Sequence, residues 1–136
     1  MSTIREIMTS NPVTITSDSR IHDAARLMRE HDVGVLPVMD GDRIRGLLTD
    51  RDIIVRAVAD QRFDEQVGSI ISAGVVTVSP DDDVNRAAEL MSERDVRRLP
   101  VCEDGRLVGI VSVGDIATRQ DPGSAGTVME QTGPEA

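Results

Sequence analysis

The sequence predicts an α+β fold made twice: tandem β-α-β-β-α units at residues 4–60 and 67–119, packed as a pseudo-twofold pair. Three observations predict it. Adding 63 to a residue number in the first half gives its partner in the second, and over residues 5–56 this pairs 19 identical residues in 52 without an insertion. Chance would give about one in twenty, so the fixed period marks an internal duplication. Next, strand-like and helix-like hydrophobic patterns follow one another in the same order in both copies. Finally, a unit of about 55 residues is marginal alone, so the copies are expected to pack together and leave related clefts between them.

Each copy opens on a short apolar segment, Ile4 to Met8 or Val67 to Ile71. An alternating strand follows at Val13-Thr14-Ile15 or Val75-Val76-Thr77-Val78. Polar residues then suit a helix start, Ser17-Asp18-Ser19 in one copy and Ser79 to Asp83 in the other, because their oxygens accept from unbonded helix N–H groups and favour the positive end of the dipole. The helix carries an apolar stripe at Ile21, Ala24, Ala25 and Met28, matched by Val84, Ala87, Ala88 and Met91. The paired alanines predict close packing against a neighbour. A hairpin comes next, Val35–Met39 to Ile44–Leu48 in one copy and Leu99–Cys102 to Leu107–Val111 in the other, with turns at Asp40-Gly41-Asp42 and Glu103-Asp104-Gly105. A last helix starts near Asp52 or Asp115. Residues 57–66 read as its continuation and link the copies, and residues 120–136 read as a flexible C-terminal tail.

Composition bounds the function. Phe63 is the only aromatic residue of 136, so the core is aliphatic and base stacking on aromatic platforms is excluded. The formal net charge of −9 opposes binding to nucleic acid or to an anionic membrane. Any bound anion therefore needs a local cationic site. Cys102 is the only cysteine, which leaves no intrachain disulfide and no cysteine cluster for metal, and its place in a strand predicts a buried apolar role. His22 and His31 lie nine residues apart on the polar side of a helix and make no metal site. The start lacks the apolar run of a signal peptide and nothing approaches a membrane span, so a cytoplasmic protein is expected. No nucleophile with an adjacent base is evident, so no enzyme is expected.

The residues able to carry chemistry sit after the last strand of each copy, in Gly46-Leu47-Leu48-Thr49-Asp50-Arg51-Asp52-Ile53 and Gly109-Ile110-Val111-Ser112-Val113-Gly114-Asp115-Ile116. One reading is a capping box, in which Thr49 or Ser112 caps a helix and the acid three residues on bonds back. The other keeps that geometry and adds a ligand. A hydroxyl, a carboxylate and unbonded helix N–H groups at a strand end suit a sugar phosphate. Arg51 adds a cation in the first copy, where the second has Gly114.

These motifs resemble a known family. Two units carrying Asp-Val, then Leu-Pro-Val, then Gly-Leu-Leu-Thr-Asp-Arg-Asp-Ile are similar to the paired CBS domains of a Bateman module, over residues 4 to about 119. The similarity is greatest to stand-alone bacterial CBS pairs, including the hypoxic-response type. The resemblance implies that Thr49 with Asp52, and Ser112 with Asp115, hold the ribose and phosphate of an adenosine ligand. It places the base near Met8, Val13, Gly34 and Val35 in one copy and Ile71 and Val76 in the other. Arg97 and Arg98 fall where phosphate-contacting basic residues occur, whereas Gly34 and Val35 do not. Surface pairing of these arginines with Glu93 or Asp95 is the alternative. The implied function is a regulatory module binding an adenine nucleotide, AMP or ATP, at two unequal clefts, with no required cofactor. A ligand-free dimerisation or interaction scaffold is the alternative. With no aromatic residue available, adenine would lie between aliphatic side chains, at micromolar affinity. A homodimer and an effector protein acted on in trans are implied too.

Overall fold

Two strand–helix units organise the chain, and neither coincides with one sequence repeat. The computed structural model describes residues 2–71 and 75–119. One unit is Pro12–Val75; the other joins residues 2–11 to those from Val76 onward. The short apolar segment that opens each repeat is therefore built into the unit of the other repeat.

In chain order the elements are α1 (Ile4–Ile7), β1 (Thr9–Ser10), β2 (Ile15–Thr16), α2 (Ile21–His31), β3 (Val35–Asp40), β4 (Arg43–Thr49) and α3 (Asp50–Asp52). The last continues as a π-helical stretch, Ile53–Val58. A 3₁₀ turn (Val67–Ser69) precedes α4 (Val84–Arg94), β5 (Arg98–Glu103), β6 (Arg106–Ser112) and α5 (Val113–Arg119). One sheet runs β2-β3-β4, with β2 parallel to β3 and β3 antiparallel to β4. The other runs β1-β6-β5, all antiparallel.

The hairpins follow the turn chemistry read from the sequence. Asp104 and Gly105 both have positive φ, as a type I′ turn requires, and Gly41 has it in the first hairpin. The helices α2 and α4 end on Asp32 and Asp95 in the left-handed conformation. That explains the repeated Asp-Val pair, because aspartate tolerates this region better than most residues and the following valine amide bonds back to the helix, Val33 N to Met28 O at 3.0 Å and Val96 N to Met91 O at 3.0 Å.

Several expectations are corrected. The predicted first strands shrink to Ile15–Thr16 and to a single bridge between Val78 and Val101. Val13 and Val76 pack against the cores without joining a ladder. Ser17-Asp18-Ser19 form a turn before α2 and do not cap it. The α2 amides of Ile21 and His22 donate instead to the carbonyls of Glu65 and Phe63, at 2.9 and 3.1 Å. Residues 59–66 thus cap α2 and do not prolong the preceding helix, which ends at Val58. In the other unit Asp83 caps α4, accepting from Asn85 N at 2.8 Å, while Val84 N donates to Ser2 O at 3.0 Å. Of the paired alanines only Ala24 and Ala87 are buried; Ala25 is exposed and Ala88 half-buried, because the stripe is one alanine wide. The predicted tail, 120–136, lies outside the described residues.

Each unit has its own aliphatic core. In Pro12–Val75 it comprises Ile15, Ile21, Ala24, Met28, Leu36, Val38, Leu48, Ile53, Ala57, Val67 and Ile70. In the other, Ile4 and Ile7 of α1 join Val84, Ala87, Leu90, Met91, Leu99, Val101, Val111 and Ile116. Burying an Ile or Val side chain contributes about 1.5–3 kcal/mol, so the exchanged segments, Ile4 with Ile7 and Val67 with Ile70, are structural members of the units that receive them.

Candidate functional site

The Thr/Ser-x-x-Asp elements stand at the end of the last strand of each hairpin, where β4 passes into α3 and β6 into α5. Both are capping boxes. Thr49 N donates to Asp52 Oδ2 at 2.9 Å and Asp52 N to Thr49 Oγ1 at 3.1 Å. Ser112 N donates to Asp115 Oδ2 at 2.8 Å and Asp115 N to Ser112 Oγ at 3.1 Å. The residues are half-buried in both units.

Capping leaves part of each side chain unused. The second carboxylate oxygen, Oδ1 of Asp52 and of Asp115, accepts no hydrogen bond among the described residues. The hydroxyl protons of Thr49 and Ser112 have no acceptor there either. Each junction therefore presents a carboxylate oxygen beside a hydroxyl donor. That pairing suits vicinal hydroxyls of a sugar. The capping and ligand readings are compatible, because the cap fixes the rotamers that face the ligand.

One expected feature is absent from the first junction. All four amides of residues 49–52 have acceptors: Thr49 N and Asp52 N within the box, Asp50 N on Gly34 O at 3.0 Å, and Arg51 N on Asp50 Oδ1 at 2.8 Å. The unbonded helix N–H groups foreseen for a phosphate are occupied there by a backbone carbonyl, a carboxylate and a hydroxyl of the chain itself.

The hairpins bring the remaining predicted residues alongside. Val35 is the register partner of Thr49, and Arg98 that of Ser112. Arg97 O accepts from Val113 N at 2.9 Å, as Gly34 O accepts from Asp50 N. Arg97 is exposed and Arg98 half-buried. The exchange of opening segments redistributes the base positions. Val13, Gly34, Val35 and Ile71 share a unit with Thr49, Arg51 and Asp52, while Met8 and Val76 share one with Arg97, Arg98, Ser112 and Asp115. Met8 thus falls in the unit of the second copy's hairpin and Ile71 in that of the first, because α1 packs on α5, β1 pairs with β6, and Val67–Ser69 joins the other core.

Asp50, beside the site, went unremarked in the sequence. The signal was present as a paired difference between copies: Gly34 goes with Asp50, and Arg97 with Val113. Other candidates stay apart. Among the described residues no three His, Cys, Asp or Glu side chains converge to hold a metal ion. Cys102 is half-buried, less than expected, and burial pushes its thiol pKa up, which disfavours the reactive thiolate. Among the described residues no helix is long and apolar enough to cross a membrane.

Residues 4–58 and 67–121 each match the family described as CBS domain. The chain belongs to the CBS domain family. As a CBS pair it is 37% identical over 121 residues to the CBS domain-containing protein YhcV of Bacillus subtilis, covering 88% of this chain and 86% of that protein. It is 37% identical over 120 residues to hypoxic response protein 1 of Mycobacterium tuberculosis, covering 86% and 84%. Among solved structures, the CBS domain pair of protein MJ0100, in complex with 5′-methylthioadenosine and S-adenosyl-L-methionine, superposes with a TM-score of 0.79 at 29% identity, covering 87% of this chain and 94% of that one. The structure of CBSX2 in complex with AMP superposes with a TM-score of 0.74 at 26% identity, covering 87% and 95%. The stand-alone CBS-pair resemblance and the mixed helix–strand fold drawn from the sequence are thereby established.

Proposed function

We propose that this CBS pair is a regulatory module that binds an adenine nucleotide and signals through its conformation or through a partner, without catalysing a reaction. The observation that carries the reading is the twice-built junction, where a capping box holds a carboxylate oxygen and a hydroxyl donor unspent, at Thr49 with Asp52 and at Ser112 with Asp115. The ligands of the MJ0100 and CBSX2 structures are all adenosine derivatives, and a ribose offers the vicinal hydroxyls this pairing suits.

The aliphatic positions Val13, Gly34, Val35 and Ile71 of one unit, and Met8 and Val76 of the other, would receive the base. Arg97 and Arg98 are the cations for a phosphate of AMP or ATP, and Arg51 is the cation nearest the ligand of the first unit. The nucleotide acts as a regulatory ligand and not as a required cofactor. It shifts a conformational equilibrium only by its differential affinity for the two states. Exposed Ile54, Val55, Val58 and Phe63 support protein contact, consistent with a cytoplasmic homodimer that reports to a separate effector.

Calorimetric titration of the chain with AMP, ADP, ATP and S-adenosylmethionine tests the proposal. Micromolar binding is expected. Asp52→Ala and Asp115→Ala should each abolish one site and cost about 0.5–1.5 kcal/mol of stability through the lost hydrogen bond to Thr49 N or Ser112 N, checked by thermal unfolding. Arg97→Ala should weaken ATP more than adenosine. No binding at millimolar ligand would reject the proposal in favour of an interaction scaffold.

A further inference from the structure

The two candidate sites differ at a pair of positions that touch. In the unit Pro12–Val75, the Asp50 carboxylate lies over Gly34 so closely that a Cβ there would be 3.1 Å from Oδ2. Its other oxygen accepts the Arg51 N–H at 2.8 Å. The carboxylate is thereby held next to Thr49 and Asp52 while remaining exposed to solvent. In the other unit the same two positions are Arg97 and Val113, joined by the same backbone hydrogen bond. There a buried valine stands in place of the carboxylate, and an arginine in place of the glycine. The local charge is inverted. By formal charge Asp50, Arg51 and Asp52 sum to −1 at one site, and Arg97, Arg98 and Asp115 to +1 at the other, where both arginines have other partners.

We propose that Asp50 is a specificity-determining residue: it makes the Thr49–Asp52 site disfavour phosphate and select an adenosine derivative whose 5′ substituent is uncharged or cationic. This rests on the reading that the Thr/Ser-x-x-Asp elements hold the ribose. A ribose bound through its 2′ and 3′ hydroxyls carries its 5′ group on the same five-membered ring. A phosphate there comes within the Debye length of Asp50, about 8 Å at physiological ionic strength, and the two anions repel. Arg51 offsets this only in part, since Asp52 adds a second negative charge. A side chain at Gly34 would crowd the carboxylate. The two sites then accept different ligands of one chemical class, so the module can respond to the ratio of a phosphorylated to a non-phosphorylated adenosine.

The experiment uses the full chain carrying Asp115→Ala, so that the Thr49–Asp52 site is the one read, titrated with AMP and with 5′-methylthioadenosine. The expected result is that 5′-methylthioadenosine binds about tenfold more tightly than AMP, a factor worth about 1.4 kcal/mol. Adding Asp50→Asn, which keeps the shape and the Arg51 cap while removing the charge, should reduce that ratio about tenfold. Raising the salt concentration should narrow it without any further substitution, an independent measurement should the double variant fold poorly. Equal affinities before Asp50 is altered, or a ratio indifferent to both Asp50→Asn and salt, would overturn the assignment of Asp50 while leaving adenosine binding standing. Failure of both ligands to bind even the unaltered chain would overturn both readings.

Discussion

Gly109 shows how little room single residues have near the β1–β6 pairing. A Cβ there would lie 2.7 Å from Met8 Sδ and 2.8 Å from Thr9 O. The methionine can swing aside, but the carbonyl belongs to the ladder that holds β1 on β6. Gly109→Ala should therefore destabilise the protein by about 1–3 kcal/mol, the usual cost of overpacking, measurable as a lower urea midpoint; an unchanged midpoint would show that β1 is loosely held. Cation placement has diverged between the copies. Arg5 pairs with Glu103 at 2.7 Å and Asp81 at 3.4 Å in one unit. In the other, the position matching Arg5 is Gly68, and Arg45 covers it, reaching Asp40 at 3.7 Å. The acids recur by repetition, while the cation that neutralises them comes from different places in the chain.

Among the elements, the helix starts are the most instructive. Backbone carbonyls of the later segment 63–65 cap α2, and Arg20 Nη1 donates to Asp64 O at 2.9 Å to hold that segment in place. Arg62 and Glu65 brace it, with Nε to Oε2 at 2.6 Å and Nη2 to Oε1 at 2.8 Å. The Arg62 hydrogen bond holds the Glu65 carboxyl below its ordinary value. A depressed folded-state pKa means that this pairing stabilises the protein above the unfolded glutamate value, about 4.3, and that the contribution is lost as pH falls through the folded value. Glu65→Gln should accordingly remove part of the acid-side loss of stability and flatten the stability profile below about pH 5, measured by urea unfolding across pH 3–7; a profile unchanged on the acid limb would show that the pair is solvated away. The π-helical stretch after α3 adds a second divergence. It buries Ile53 and Ala57 but turns Ile54 and Val55 outward, at 61% and 56% exposure, whereas the twin position Ala117 on α5 is buried.

At the scale of the whole molecule, each unit takes its α1-type segment from the other repeat. Ile4 is fully buried in the core formed by α4, α5, β5 and β6. Ile4→Ala should cost about 2–5 kcal/mol, and hydrogen exchange should show the loss of protection concentrated in residues 84–119, with β3 and β4 retaining theirs. A loss centred instead on residues 12–71 would contradict the exchanged arrangement. This scale also separates what could be read from the chain from what could not. The period of 63, the helical stripes, the hairpins with their glycine turns and the Thr/Ser-x-x-Asp boxes are local patterns, and local hydrogen bonding and side-chain periodicity were enough to reveal them. Val13-Thr14-Ile15 misled because alternation reports which side faces a core, and a residue can face a core without a ladder partner. The caps on α2, and the Ser2 carbonyl that joins Asp83 at the start of α4, were hidden because they are backbone carbonyls more than 40 residues away in the chain, and carbonyls have no sequence signature.

The sequence by itself determined that the protein is a duplicated α+β chain with an aliphatic core, and where its paired hydroxyl and carboxylate stand. Only the tertiary structure decided which segment completes which unit, that the amides of the first junction are already bonded, and that Asp50 lies over Gly34. The exchanged segments, the Asp50 N to Gly34 O bond of the junction and the carboxylate over Gly34 all depend on contact between residues 16 or more positions apart. Hydrophobic pattern and spacing record which side of an element is buried, but not what it is buried against.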